Sequence, residues 1–377
     1  MKARRVWAVA RKEFLHILRD PRSLGMAIAF PMLLLVIYGY ALTMDVDEVP
    51  LVIWDQSETP ESRELVSGFL GSRYFAWRGA VRGYPELERA IDSRRAMAAL
   101  VIPADFARRM AAGRPVAAQM IVDGSDANTA TIALGYAGAV AEGYSQGVAF
   151  EQIRRIRGRP LDPPLELRPR VWFNADLESR NYIVPGLIAV MMMMIAAMLT
   201  SLTVAREWER GTMEQLISTP VKGPELVLGK LLPYLAVGLL DTLLAVLMGR
   251  LVFHVPLRGS VALLFAMAAV FLVGGLSLGM LVSIVTRNQL LASQAASMLT
   301  LLPSVLLSGF VFEIFSMPAP IQLFTYLIPA RYFLVILRGI YLKGIGLEIL
   351  AGEALLMVVF GAAMVALATR KFRKKLV

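Results

Sequence analysis

Hydrophobic residues in this chain are gathered into six long runs, separated by short charged segments and by one long polar insertion. A membrane-spanning helix needs roughly 20 mostly apolar residues, and each run reaches about this length. The first run follows a basic arm, as in a cleaved signal peptide, but it exceeds the usual apolar core of about 7–15 residues and no A-x-A site precedes Asp45. We therefore predict that it is a retained anchor. The predicted spans are residues 23–44, 181–205, 231–252, 259–286, 288–312 and 349–369.

The insertion between the first and second spans, residues 45–180, has the pattern of a folded α/β domain. VPLVIW, AMAALVIP and AAQMIVD are short runs rich in β-forming residues, which predict strands. Pro103 is predicted at a first helical position. An apolar stripe from Asp126 to about Arg157 predicts one long helix.

The N-terminal arm, residues 1–22, has the composition of a helix that lies in the cytoplasmic membrane interface. Apolar residues, with Trp7, Phe14 and Ile17 among them, alternate with Arg and Lys. Pro21 is expected to end this amphipathic helix. The alternative is a basic arm that only sets the topology.

Basic residues at both ends of the chain predict its orientation. By the positive-inside rule both termini, including the tail at 370–377, lie in the cytoplasm, and six spans agree with this. Residues 206–230 then face the cytoplasm, and residues 313–348 form an external loop, for which a re-entrant course is the alternative. The predicted fold class is an α-helical polytopic membrane protein with six transmembrane helices and an extracytoplasmic α/β domain inserted between the first and second spans.

Composition agrees with a membrane protein and narrows its chemistry. The chain is 57% hydrophobic and 18% charged, so it has more apolar surface than a soluble core of this length buries. Its net charge of +10 is explained by topology, and we predict no nucleic-acid partner. The absence of cysteine excludes disulfides, thiolate metal sites and a Cys nucleophile.

Few residues could carry enzymatic chemistry. His16 and His254 fall on opposite predicted sides of the membrane. Asp123 and Asp126 are too few for calcium, which takes roughly six to eight oxygens, and are interpreted as helix caps. GPELVLGK resembles a phosphate loop but has five residues between its glycines and Leu after the Lys, where the loop needs four residues and Ser or Thr. We predict no catalytic, cofactor or metal site on this chain.

Two carboxylates lie inside the predicted spans. Asp241 is in the third span and Glu353 in the sixth. Because a carboxylate in hydrocarbon is costly, both are candidates for the transport path. For Glu353 the alternative is solvation at the outer interface, and Met191–Met194 is interpreted as flexible apolar filler, with substrate contact as the alternative.

The stretch REWERGTMEQLISTPVKG is densely charged but lies between two of the most apolar parts of the chain. It resembles the E-x-E-x-G-T-x-E-x-L-x-x-T-P signature of ABC-2 type permeases, the membrane subunits of ATP-binding-cassette exporters. KEFLHILRDPRS, IVDGSDANTA and RVWFNADLESRNYIVPGL resemble the branch with a large external domain, so the resemblance covers the whole chain. Ala175 departs from it, since the family often has Pro there. The matching signature residues are Glu207, Glu209, Gly211, Thr212, Glu214, Leu216, Thr219 and Pro220.

The resemblance implies that residues 206–230 are a coupling loop that docks on a separate ATPase subunit, with the N-terminal helix beside it. A turn at Gly211, a cap at Thr212 and a stop at Pro220 fit a short helix at 213–218. We expect the glutamates of the signature to be exposed, so that they meet basic groups on the partner.

The resemblance also implies the function and the partners. We expect a permease that moves an amphiphilic small molecule, such as a drug, a lipid or a related metabolite, out of the cytoplasm or inner leaflet of the bacterial inner membrane. Two copies of the ATPase subunit would hold ATP and magnesium, and a second permease, identical or similar, would share the lipid bilayer. A periplasmic adaptor protein is a further candidate partner.

Three alternatives remain at this point. A polysaccharide exporter shares the membrane part, but that branch lacks the large insertion. A membrane-anchored sensor or receptor would use the external domain to bind a ligand. A solvated loop without a partner would explain residues 206–230, but transport would then have no ATPase to drive it.

Overall fold

The computed structural model describes residues 2–42, 48–157, 170, 172–174 and 178–372. The chain divides into two compact units: a helical unit of Met1–Thr43 and Arg170–Val377, and a second unit of Met44–Pro169. The helices are α1 (Ala3–Leu18), α2 (Pro21–Ala41), α3 (Pro60–Leu70), α4 (Tyr84–Asp92), α5 (Phe106–Ala111), α6 (Ala127–Arg157), α7 (Ser179–Glu209), α8 (Thr212–Ser218), α9 (Gly223–Leu251), α10 (Val261–Thr286), α11 (Gln289–Leu306), α12 (Ala319–Thr325), α13 (Pro329–Arg338) and α14 (Leu347–Lys371). The strands are β1 (Val49–Asp55), β2 (Phe75–Ala80), β3 (Ala98–Ile102) and β4 (Gln119–Val122).

Helix α7 forms the centre of the helical unit and packs against α2, α9, α10, α11 and α13. Residues 183–197 of this helix are all buried, as expected for a helix that is hydrophobic all round. Hydrogen bonds also join it to α10. The hydroxyl of Thr200 donates to the carbonyl of Leu276 at 2.7 Å. Ser283 Oγ accepts from the backbone N–H groups of Val204 and Ala205 at 3.1 and 2.9 Å.

By length and composition, the described helices include five or six that could cross a membrane. Helices α7, α9, α10, α11 and α14 qualify singly. The sixth candidate is a pair, Ala319–Thr325 and Pro329–Lys343, bent by 80°. Helix α2, where the sequence predicts the first span, is apolar over Ala27–Ala41. The chain is therefore mostly helical, with several candidate spans.

The bent pair lies within residues 313–348, which the sequence predicts as an external loop. Its second arm consists of α13 and a π-helical turn, Gly339–Lys343. Helix α13 is buried against the other helices, and its Phe333 stacks on Phe271 of α10 with ring centroids 4.2 Å apart. The geometry is that of a broken span or a re-entrant segment.

The second unit contains a four-stranded sheet in the order β2-β1-β3-β4. β1 pairs in parallel with β2 and β3, and β3 pairs antiparallel with β4. The three runs predicted as strands form β1, β3 and β4, so those predictions are confirmed. β2 was not predicted, because its sequence FAWRGA lacks a regular alternation.

Two helices of this unit can be compared with the helix starts predicted from the sequence. The long helix predicted from Asp126 to about Arg157 is confirmed as α6. Asp126 caps it by accepting from the N–H groups of Asn128 and Thr129 at 3.1 and 3.3 Å, and hydrogen bonds from Thr129 hold the pKa of Asp126 below its ordinary value. The prediction for Pro103 is wrong: this residue forms a turn whose carbonyl accepts from Phe106, and α5 begins only there.

Candidate functional site

The segment between α7 and α9 has the predicted local structure. α7 ends at Glu209, α8 begins at Thr212, and the chain turns between them at Gly211 with φ +68°. This left-handed conformation costs a residue with a side chain about 1–2 kcal/mol, which explains the glycine. The predicted turn and short helix are confirmed.

Thr212 differs from its predicted capping role. Its hydroxyl donates to the carbonyl of Glu207 at 3.4 Å, because the tight turn brings it back to the last turn of α7. Thr219 and Pro220 follow α8, as predicted. The side chains of Glu214 and Leu216 lie outside the described residues.

Glu207 requires the main correction. The sequence suggests an exposed glutamate that meets a partner, but Glu207 is only 7% exposed. Its Oε1 atom lies 3.0 Å from the ammonium of Lys230 and 2.9 Å from that of Lys12. One carboxylate oxygen of Glu207 is thus paired within the chain, because the N-terminal helix α1 and the start of α9 both bring a lysine to it.

These contacts belong to a four-residue group, which we call the Lys–Glu cluster: Lys12, Glu13, Glu207 and Lys230. Lys230 contacts Glu13 at 2.8 Å, and Lys12 contacts the same carboxylate at 3.4 Å. Lys230 is 1% exposed and Glu13 is 4% exposed. Two ammonium groups balance two carboxylates, which is the condition under which buried charges are tolerated. The cluster joins α1, α7 and α9.

Electrostatic contacts keep Glu13 and Lys12 ionised. Burial alone would raise the pKa of Glu13, but the ammonium groups of Lys230 and Lys12 outweigh burial and hold this pKa below its ordinary value. Burial would likewise lower the pKa of Lys12, but hydrogen bonding and charge from Glu207 and Glu13 hold it above the ordinary value. Glu13 is therefore a carboxylate and Lys12 an ammonium at neutral pH.

A second set of contacts joins α1 to the end of the loop between α7 and α9. Glu225 accepts from the backbone N–H of Lys2 at 2.7 Å and from that of Lys222 at 2.9 Å. Arg5 lies 3.6 Å from the same carboxylate. Its guanidinium also donates to the carbonyl of Pro220 at 2.6 Å. The N-terminal helix thus holds the residues just after α8.

The other end of the loop is attached to the turn between α10 and α11. The carboxylate of Glu209 accepts from the backbone N–H of Gln289 at 2.8 Å and also from its side-chain amide. The guanidinium of Arg287 lies 4.6 Å from the ring centroid of Trp208, within cation–π range. The end of α7, which leads into α8, is therefore held to the turn between α10 and α11.

Helix α1 has two different faces. Val9 and Ala10 are buried, and α1 approaches α9 so closely that a Cβ on Gly229 would lie 2.7 Å from the Cβ of Val9. On the other side Trp7 is 69% exposed and Phe14 is 46% exposed. Of the three residues predicted for the membrane interface, these two are exposed, whereas Ile17 is half-buried.

A cavity of about 750 Å³ lies between α1, α2, α7, α8 and α9, within the size range of small-molecule pockets. The Lys–Glu cluster lines it, together with apolar residues of α2 and α7. The apolar lining includes Phe30, Pro31, Met194, Met198 and Leu199. The cavity therefore combines a charged region with an apolar wall.

The two candidate transport-path carboxylates lie in different places. Asp241 is 4% exposed, and neither of its carboxylate oxygens has a hydrogen-bond partner among the residues the structure describes. It lines a small void of about 10 Å³ that shares Pro31 and Ile195 with the large cavity. Glu353 is half-buried on α14 and lines neither space.

Sequence reasoning did not identify Glu13, Lys230 or Glu225 as site residues. One signal was present: Glu13 is a carboxylate one helical turn from Val9 and Ala10, on the apolar face of an amphipathic helix. Lys230 was considered only as part of the false phosphate loop. Its partners lie on other helices, so no local motif reports them.

Comparison with known proteins gives a consistent result. Residues 21–370 match the family model described as ABC-2 family transporter protein. The chain is 38% identical over 376 residues, covering 99% of this chain and 98% of the relative, to the probable multidrug ABC transporter permease YbhS of Escherichia coli strain K12. It is 29% identical over 371 residues, 98% of this chain and 99% of the relative, to the probable multidrug ABC transporter permease YbhR of that strain. It is 27% identical over 360 residues, 91% of this chain and 92% of the relative, to its inner membrane transport permease YhhJ.

Proposed function

The chain belongs to the ABC-2 family of transporter proteins, and from this premise we propose that it is the permease subunit of an exporter whose ATPase is a separate subunit. The observation that carries the proposal is that the chain is fixed by side-chain contacts on both sides of α8. Arg5 and Glu225 hold the residues that follow it, and Glu209 fastens the residues before it. A partner that moves α8 would therefore act directly on α1, α9 and the α10–α11 turn.

The role of the coupling loop can be tested by copurification. We expect the affinity-purified chain to bring down ATPase activity from native membranes. Gly211→Val should greatly reduce that activity and abolish export, because valine strains the turn that positions α8. Gly113→Val is the matched control, since Gly113 has φ +64° and open space around it but lies in the second unit.

Two outcomes would contradict the proposal at different points. If Gly211→Val retains the ATPase and exports at the parental rate, the docking role of the loop is wrong. If the unmodified chain brings down no ATPase activity, the sensor alternative gains support instead. The amount of each variant in the membrane fraction is measured in parallel, so that a folding defect is recognised.

The same proposal includes location and topology. We place the chain in a bacterial inner membrane with both termini in the cytoplasm, α2 as the first span and the second unit outside. The supporting observations are the basic residues at both ends of the chain, the apolar run of α2 and the inner membrane named for the relative YhhJ.

The transported compound is proposed to be an amphiphilic small molecule moved outward. The names of YbhS and YbhR, probable multidrug permeases, and the cavity with charged and apolar parts support this. The full exporter would pair this chain with a second permease, identical or similar, and with two ATPase copies that bind ATP and magnesium. An adaptor outside the membrane would contact the second unit.

A further inference from the structure

Glu207 lines the cavity between α1, α2, α7, α8 and α9, and its buried carboxylate has an unused hydrogen-bond acceptor. Lys12 and Lys230 both contact Oε1 of Glu207. The other oxygen, Oε2, has no hydrogen-bond partner within the described part of the chain. A buried carboxylate oxygen without a donor costs free energy, so a donor from a bound molecule would remove that cost.

The apolar wall of the cavity gives the second part of the recognition. Met194, Met198 and Glu207 lie on the same helix, and Met194 and Glu207 are separated by roughly 20 Å at a rise of about 1.5 Å per residue. Phe30 and Pro31 of α2 face the same space. Methionine side chains adapt to apolar ligands of different shape. An extended apolar chain fits along this wall with its polar end at Glu207.

We propose that this cavity binds a single-chain amphiphile whose head group donates a hydrogen bond to Glu207 and whose apolar chain lies along Met194 and Met198. The cavity lining has Lys12, Lys230, Arg206 and Arg210 beside Glu13, Glu207 and Asp20, so the donor can be a hydroxyl group or an ammonium that pairs with Glu207. This inference rests on the proposed transport function, because it takes the cavity within this chain as the binding site of the transported amphiphile.

The absence of cysteine in the chain allows a direct binding test. Leu202→Cys places a single thiol in the cavity wall, and Val285→Cys places one on an exposed position of α10 outside the cavity. The rate of N-ethylmaleimide labelling is measured on the purified chain in phosphatidylcholine nanodiscs. The probes are dodecylammonium, 1-dodecanol and dodecyltrimethylammonium, which share one alkyl chain.

We expect dodecylammonium and 1-dodecanol to slow labelling of Leu202→Cys and to leave Val285→Cys unchanged. Dodecyltrimethylammonium has no hydrogen-bond donor and should need at least about tenfold higher concentration for the same protection. Protection by dodecylammonium alone also supports the proposal and identifies the head group as a cation. Equal protection by all three probes, equal effects at both cysteines or no protection at all would overturn it.

Two variants separate the head-group contact from the apolar wall. Glu207→Gln, combined with the cavity cysteine, should lose the preference for a donor head group. Leu199→Trp leaves the Lys–Glu cluster intact and fills the wall, so it should reduce protection by every probe. If neither variant changes protection, the probes bind elsewhere and the proposal is wrong. The assay needs neither ATPase nor transport, so its failure leaves the coupling test unaffected.

Discussion

Replacing Lys230 by methionine should release α1 from α9. The substitution removes the buried ammonium and leaves Glu13 and Glu207 with Lys12, whose side chain is 55% exposed. Each contact of Lys230, at 2.8 and 3.0 Å, amounts to roughly 6 kcal/mol of Coulomb energy at an effective dielectric constant of about 20, before desolvation. Desolvation offsets much of this, and breaking a buried pair typically costs about 3–5 kcal/mol net.

The assay uses Ala10→Cys, a buried position of α1 next to Val9, which packs on Gly229 of α9. Its maleimide labelling rate reports how often α1 leaves that surface. A cost of about 3–5 kcal/mol corresponds to an increase of roughly a hundredfold to a few thousandfold in the open population. We expect the labelling rate in Lys230→Met to rise by a factor in this range.

The control is the double variant Glu13→Leu with Lys230→Met. Removing both partners leaves no unpaired charge between α1 and α9, and apolar replacement of a buried pair is often neutral or stabilising. Labelling of Ala10→Cys should therefore return close to the parental rate. If the double variant labels as fast as Lys230→Met, the two residues are not coupled and the electrostatic account of the cluster is refuted.

Four further results are expected. Gly229→Val should loosen α1 by about 1–3 kcal/mol through overpacking, seen as faster labelling of a buried cysteine on α1; unchanged labelling would mean that α1 tolerates the added bulk. Asp241→Leu should raise the thermal stability of the purified chain, because an unpartnered buried carboxylate is removed. The same variant should abolish transport while membrane insertion and ATPase binding stay intact. Normal export would mean that Asp241 has only a structural role. An impermeant thiol reagent should label Ser125→Cys in intact cells but Ser218→Cys only after permeabilisation, and the reverse pattern would contradict the proposed orientation. The pKa of Glu13 in the folded chain lies below its ordinary value of 4.5, so the contacts of Glu13 stabilise α1 fully above about pH 4.5 and are lost as the pH falls through the folded pKa. Labelling of a buried cysteine on α1 that rises between pH 5 and pH 8 would contradict this.

Much of the fold could be predicted from local sequence. Long apolar runs predict helices because each helix satisfies its own backbone hydrogen bonds and must bury or embed its side chains. The turn at Gly211 was predictable because only glycine enters the left-handed region without cost. The β2 strand was not, since its pairing with β1 depends on a neighbouring strand rather than on its own alternation.

Local sequence was enough to locate the long helices, the charged loop after α7 and the family to which its signature points. Tertiary structure alone decided that Glu207 is buried rather than offered to a partner, and that Glu13 contacts Lys230 across a separation of 217 residues. The physical reason is that a charge is stabilised by groups within a few ångströms in space. Those groups come from three helices, and only the packing of α1 on α9 beside the end of α7 brings them together.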